Sequence, residues 1–235
     1  MQNLKDGKRS RPPHVKQTDG DLINEFTHEL KTPVSSIYGF ARLLKSKNLT
    51  EAERDEYVDI ILQESERLTR LSEGILLLAR TESLSPEQKA ESFNVTEQIR
   101  HVIILLQNKW LDKKIEVCLD SEDFHLNANK SLLEQVWINL IDNAIKFSPE
   151  GGKIHISIHK GQNDLIFAIS DEGQGMDEET VKHAFERFYQ GDTAEKGNGI
   201  GLSVVRRICE LHGGSVRIAK SDKRGTSFEV MLSCE

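Results

Sequence analysis

The chain has 235 residues, with 38 acidic against 31 basic side chains and a net charge of −7. Its 37% hydrophobic and 29% charged composition suits a globular protein of one or two domains with long, solvated helices. The acidic balance argues against a general nucleic-acid binder, and no apolar run approaches the roughly 18 residues that span a bilayer. No signal peptide is visible, and Cys118, Cys209 and Cys234 are scattered without CxxC spacing, as expected of reduced cytosolic thiols.

Residues 1–17 read as a basic linker or tail. LKDGKRSRPPHVKQTDG has no apolar period, a Pro-Pro break, and five basic against two acidic residues. Two readings stand: a disordered, solvated segment, or the stretch just inside a membrane that follows an upstream sensor.

Apolar spacing then predicts two long helices, over about 21–46 and about 50–82. Phe26, Leu30, Pro33, Ile37, Ala41 and Leu44 form the stripe of the first; Val58, Ile61, Leu68, Leu71, Ile75 and Leu78 form that of the second. Thr50 and Glu53 read as a capping box, and the short connection at Lys47–Leu49 predicts an antiparallel hairpin. Two amphipathic helices leave a seam uncovered, so two copies are expected to pair as a four-helix bundle.

Within the first helix, FTHELKTP concentrates reactive side chains. His28 lies two residues from both Phe26 and Leu30, about 200° from the seam, and should face water. Glu29 can accept the Nδ1 proton and so make Nε2 the better nucleophile. Thr32 shares the face of His28 one turn on, and Pro33 removes a helical N–H, which predicts a bend. A surface histidine with no role is the competing reading. Ser36, Gly39 and Leu43 extend an outward stripe beyond His28 that could seat a partner helix.

A linker, 84–92, separates this hairpin from a mixed α/β region, 93–235. The order expected there is a helix capped by Asn94 and running to about Asp112, strands IEVCLD and Phe124–Leu126, and a helix from about Lys130 to Lys146. A hairpin of KIHISIHK and DLIFAIS follows, then helices near 177–186 and 200–212, then a hairpin of SVRIAK and SFEVMLS. Helices against one face of a mostly antiparallel sheet is the expected arrangement.

Three polar constellations interrupt this region. In NLIDNAIKF, Asn139 and Asn143 share a helix face, with Lys146 after them. Carboxamides on a largely buried helix call for partners: magnesium with nucleotide phosphates, or a packing network. DEGQGM follows a strand, where Asp171 can accept a purine amine while Gly173 and Gly175 admit a close backbone; a plain turn is the alternative. KGNGIGL opens a helix, and Gly197, Gly199 and Gly201 suit phosphate at a helix N-terminus. A Rossmann reading of GNGIG fails, because no βαβ unit surrounds it.

Taken in order, FTHELKTP, NLIDNAIKF, DEGQG, FERFYQG and GNGIGL resemble the sensor histidine kinases of bacterial two-component systems, over roughly residues 18–233. The resemblance implies an α+β protein: a dimerization and histidine-phosphotransfer hairpin, 18–83, then an α/β sandwich of the GHKL (Bergerat) ATP-binding type. It implies His28 as phosphoacceptor, Glu29 as its base, Thr32 as a phosphatase residue, and Asn143 as magnesium ligand supported by Asn139. Lys146 and Arg187 would contact phosphates, Phe147 would flank the nucleotide, and Asp171 would bind the adenine amine. Gly173, Gly175, Gly197, Gly199, Gly201 and Leu202 would shape the pocket, with Thr226 closing the adenine side and residues 189–198 as lid. Ile200 stands where the family usually has leucine. ATP and magnesium are the implied cofactors. The implied partners are a second copy and a response-regulator receiver domain, in a cytoplasmic portion that a membrane segment could tether.

Two other functions compete. An ATP hydrolase of the same superfamily, like gyrase, places a glutamate four residues before the magnesium asparagine; here that position is Asn139, which cannot act as a base. A noncatalytic module with a decayed site would lack nucleotide-contacting residues, and none is missing.

Overall fold

The computed structural model describes residues 19–46, 48–83, 90–161, 164–191 and 199–233. The basic tail, Lys47, linker residues 84–89, residues 192–198 of the expected lid with Gly197, and Cys234 lie outside them. Apolar periodicity yields two helices, α1 (Asp19–Leu43) and α2 (Glu51–Ser83). The capping box forms as expected. The Thr50 N–H donates to Glu53 Oε2 at 2.8 Å and the Glu53 N–H to Thr50 Oγ1 at 3.2 Å, which holds the Glu53 carboxyl below the usual carboxylate range. Pro33, buried, does not end α1.

By packing, the chain divides into two compact units, Met1–Glu64 and Ser65–Glu235. In the first, Phe40 rather than Ala41 meets the second helix, its ring 5.3 Å from that of Tyr57, while Ala41 is exposed. Phe40 takes the place of Ala41 in the expected stripe, whose Phe26, Leu30, Pro33, Ile37 and Leu44 are buried or half-buried, because a phenyl group buries far more apolar surface than a methyl group. Val34, Tyr38, Val58 and Leu62 stay exposed, Tyr38 at 63%.

The second unit begins inside α2. Leu71 is fully buried with the core of this unit, and Ile75 and Leu77 pack against it. Gly74 lies against Ile200, where an added Cβ would stand 3.0 Å from Ile200 Cγ2.

β1 (Glu91–Asn94) pairs antiparallel with β3 (His125–Ala128), so Glu91 and Ser92, read as linker, start a strand. The helix expected from Asn94 to Asp112 is two, α3 (Val95–Leu105) and α4 (Gln107–Asp112), broken at Leu106. Leu106 turns inward at the break, buried in the core, and Trp110 Nε1–H donates back to the Ile103 carbonyl at 3.0 Å.

β2 (Glu116–Ser121), β4 (Lys153–Lys160), β5 (Asp164–Asp171), β6 (Ser215–Asp222) and β7 (Gly225–Ser233) form one sheet. The order is β2-β4-β5-β7-β6, with only the β2–β4 pair parallel. Strict alternation turns Ile154, Ile156, Ile158, Leu165, Phe167 and Ile169 to the buried face, under α5 (Lys130–Phe147) and α7 (Gly201–Leu211). Trp137 is fully buried, its ring 4.7 Å from that of Phe167 and its Nε1–H bonded to Gln98 Oε1 at 3.0 Å. Gln98 Nε2 donates in turn to the Lys130 carbonyl at 2.8 Å, tying α3 to the start of α5.

The far end of α5 is fixed by Lys113. Its ammonium donates to the Lys146 carbonyl at 2.7 Å and reaches those of Ile145 and Ser148 at 3.3 and 3.4 Å. A cation at a helix C-terminus satisfies carbonyls that have no partner within the helix and complements the dipole. α6 (Glu178–His183) is shorter than expected. The chain leaves the helix so that Phe185 can meet Phe228 edge-on, 6.4 Å between ring centroids.

α7 buries Cys209 completely, and loss of solvent pushes its thiol pKa up to about 12. In a variant with Cys118 and Cys234 replaced by serine, native Cys209 should label at pH 8 roughly 1,000-fold slower than in the unfolded chain, from thiolate fraction alone. A thiol-reagent time course with and without denaturant checks this; equal rates would mean that α7 does not stay packed.

Candidate functional site

The end of β5, the C-terminal half of α5, the N-terminus of α7 and the start of β7 converge on a cavity of about 620 Å³. That volume lies within the range of sites for small molecules and cofactors. Asn143, Lys146 and Phe147 enter it from α5, and Asp171 and Gly175 from the strand end and its turn. Gly199, Gly201 and Leu202 come from the α7 end, and Thr226 from β7.

Asp171 is almost fully buried, and burial pushes its carboxyl pKa upward. Two backbone donors oppose that shift: the N–H of Gly173 at 2.8 Å and that of Thr226 at 3.2 Å, both to Oδ1. Oδ2 is left to accept from a ligand in the cavity. Thr226 Oγ1 lies 3.1 Å from Ser221 Oγ, which accepts from the Met176 N–H at 2.7 Å. This links the turn after β5 to the β6–β7 hairpin. Gly175 has φ +75°, and a Cβ there would fall 1.9 Å from the Asp222 carbonyl oxygen, so no larger residue fits.

The N-terminus of α7 is open. Ile200 occupies the N-cap without a side-chain bond, leaving the first N–H groups of the helix toward the cavity, where an anion binds well. Gly199, at φ +63°, sits so close to Phe188 that a Cβ would lie 2.4 Å from its carbonyl carbon. The Phe188 N–H donates to the Gly199 carbonyl at 2.7 Å, tying the segment after α6 to the start of α7.

Asn143 is half-buried, and its carboxamide makes no side-chain hydrogen bond to any described residue. Lys146 lies over the Phe147 ring, 4.8 Å from its centroid. Asn139 stands elsewhere: its Nδ2 donates to the Gln135 carbonyl at 2.8 Å, and it lines a neighbouring cavity. Arg187 and Gly173 do not line the 620 Å³ cavity, although the Gly173 N–H holds Asp171 from beneath. Tyr189 and Gly191, from the expected lid at 189–198, do line it, and so do Thr180, Asp222, Lys223 and Phe228, to which the motifs give no role. Asp222 and Lys223 had no signal beyond a hairpin turn, whereas Tyr189 sits inside a quoted motif.

His28 and Thr32, on α1, are exposed, and Glu29 between them is half-buried. They belong to the first compact unit and the cavity to the second.

Residues 19–84 match the His Kinase A (phospho-acceptor) domain, and residues 128–235 match the family Histidine kinase-, DNA gyrase B-, and HSP90-like ATPase. The heme sensor protein HssS of Staphylococcus saprophyticus subsp. saprophyticus is 31% identical over 209 residues, covering 89% of this chain and 45% of that protein. The catalytic domain of the histidine kinase ThkA is 30% identical with a TM-score of 0.57, over 62% of this chain and 96% of that one. ThkA in complex with the response regulator protein TrrA matches with a TM-score of 0.75 at 26% identity, over 92% of this chain and 62% of ThkA. The chain spans about half the length, or less, of the relatives that it matches in sequence. With both matched domains in one polypeptide and in the family's order, the chain belongs to the two-component sensor histidine kinases.

Proposed function

We propose that the chain is the ATP-dependent protein-histidine kinase core of a two-component sensor. It would phosphorylate His28 from ATP and pass the phosphoryl group to an aspartate of a response regulator. One observation carries the reading. A cavity of nucleotide size has a desolvated carboxylate at one end and an open helix N-terminus at the other, in a chain whose separate helical hairpin exposes a histidine. Residues 18–83 would serve dimerization and phosphotransfer, 84–90 as linker, and 91–235, which begins with β1, catalysis. The apolar stripe of Val34, Tyr38, Val58 and Leu62 supports pairing with a second copy in a four-helix bundle. A cytoplasmic location follows the same reading.

Each residue then has a task. Asp171 Oδ2 accepts the adenine amine, Thr226 closes that side, and Phe147 flanks the nucleotide. The N–H groups at Gly201 and Leu202 hold phosphate oxygens, and Lys146 neutralises charge as the phosphoryl group leaves, while Arg187, outside the cavity lining, keeps no place in this step. Asn143 fits a magnesium ligand, since its carboxamide is uncommitted and offers the oxygen donor that this ion prefers. Bound there, magnesium would neutralise phosphate charge. At the acceptor, Glu29 takes the Nδ1 proton while Nε2 attacks. Thr32 holds water in line with an aspartyl phosphate when the chain works as phosphatase. Hydrolysis by an Asn139-activated water is disfavoured: a carboxamide is no base, and this one is bonded to its own helix.

Incubation with labelled ATP should yield a protein-bound label that is labile to acid and stable to base. His28→Gln should abolish that label and leave ATP binding intact; retained label would remove His28 from the role. Asn143→Asp should lower autophosphorylation at least ~10-fold by disturbing the magnesium shell, and unchanged kinetics would make the asparagine merely structural. Thr32→Ala should keep autophosphorylation within a few-fold and lose most phosphatase activity, with Glu29→Ala doing the opposite. Both rates on both variants, measured with the partner regulator, test this division; loss of the same activity in both variants would refute it.

A further inference from the structure

The cavity wall from Thr180 to Gly191 is held from outside by a charged cluster that plays no part in the reaction above. His183 ends α6, and both of its ring nitrogens meet carboxylates. Nε2 lies 3.0 Å from Glu179 Oε1, and Nδ1 lies 2.9 Å from Glu186 Oε1. Carboxylates only accept, and a neutral imidazole donates from one nitrogen alone, so this arrangement is satisfied only by the imidazolium. The ring of Tyr189 stacks beside it, 5.5 Å between centroids at an angle of 35°. The charged groups around His183 are Glu179, Glu186 and Lys182, which pairs with Glu179 at 3.9 Å; no described ion pair reaches it from another element.

The cluster is placed to matter for a ligand. Thr180 on this short helix and Ala184 at its C-cap face the cavity, as do Tyr189, Gln190 and Gly191 beyond it. Gly191 lies flush on Thr180, with room for no Cβ: one would fall 2.9 Å from Thr180 Oγ1. Between Glu186 and Tyr189, Phe188 is held at φ 61°, an unfavourable conformation for a residue with a Cβ. The clamp therefore grips both sides of a strained residue at the base of the lid.

We propose that His183 is a positioning residue for the nucleotide: bridged between Glu179 and Glu186, it keeps the Thr180–Gly191 wall closed on the cavity. The inference rests on the reading of that cavity as the ATP site. The two carboxylates raise the His183 pKa above the ordinary histidine value, Glu186 most strongly. A group raised in the closed state contributes fully below its ordinary value, near 6.5, and loses its contribution as pH climbs through the raised one. Nucleotide affinity should therefore fall with rising pH, on the alkaline side of neutral histidine behaviour. His212 does not confuse the signal. Burial pushes its pKa down, in the direction opposite to that of His183.

The test is binding of trinitrophenyl-ATP by fluorescence from pH 6 to pH 9, with KM for ATP and kcat measured alongside. In the wild type, Kd and KM should rise about 3- to 10-fold across the raised pKa while kcat stays within about 2-fold, the scale of one or two half-exposed ion pairs. His183→Gln should bind weakly at every pH, and His183→Arg, which keeps the cation, should bind tightly at every pH. Glu186→Gln should shift the wild-type transition to lower pH, a movement that a merely misfolded variant would not show. A flat wild-type profile, or an unaltered slope in His183→Gln, overturns the proposal and leaves the ATP site standing. Failure of the wild type to bind the probe at any pH overturns the ATP site, and this proposal with it.

Discussion

A carboxylate taken out of water has to be held by donors, and Asp171 is the group on which the 620 Å³ cavity is organised. Its Oδ1 accepts the N–H of Gly173 within its own turn and the N–H of Thr226 from the neighbouring strand. Those two bonds set the distance between the end of β5 and the start of β7 and fix the orientation of the free oxygen. Removing either donor would leave a buried acceptor underpaired, at a cost of about 1–3 kcal/mol. Thr226 continues the connection through its hydroxyl to Ser221, and Ser221 to the Met176 N–H. The cavity floor is thus one hydrogen-bonded sequence across three strands.

The opposite wall depends on α5, which is secured at both ends before it presents anything to a ligand. Asn129 caps its start by accepting the Leu132 N–H at 3.2 Å, while Lys113 caps its finish. Between them, Trp137 fills the space over Phe167 with its indole N–H satisfied by Gln98. A helix held in this way places Asn143 and Lys146 without a side-chain tether of Asn143's own, which leaves its carboxamide available. Rigid support and an uncommitted first contact are the general requirement for a site that must receive charge in one geometry.

Much of this was legible in the residues. The alternation in KIHISIHK and DLIFAIS gave a hairpin with the right face buried, and Thr50 with Glu53 gave the start of α2 within a residue. Asn143, Lys146, Phe147, Asp171, Gly175, Gly199, Gly201, Leu202 and Thr226, proposed from short motifs, all reach one cavity. What escaped was set by partners distant in sequence. Phe40 displaced Ala41 from the hairpin seam because Tyr57 offers it a ring, a preference that spacing alone does not encode. The helix break at Leu106 and the shortening of α6 at His183 follow from side chains turning into the core. β1 was hidden in an apparent linker because its pairing partner, β3, lies more than thirty residues on. Lys113 had no local signal, since the carbonyls that it caps lie more than thirty residues on, whereas Glu179, His183 and Glu186 stand at helical spacing and only the early end of α6 was unforeseen.

The sheet order has a consequence for how such a chain is made. β7 is the last strand described, yet it lies between β5 and β6. The Thr226 donor to Asp171 is separated from it by 55 residues. At translation rates of about 5–20 residues per second, the nascent chain carries a complete β4–β5 hairpin for roughly 3–11 s before that donor exists. During that interval the apolar edge of β5 is unpaired, and an unpaired edge is a template for the wrong strand. The helical hairpin, all local contacts, folds well within the same interval. Synthesis therefore passes through a stage with a formed helical hairpin and an open sheet, and this is the stage at which a ribosome-bound chaperone has most to cover.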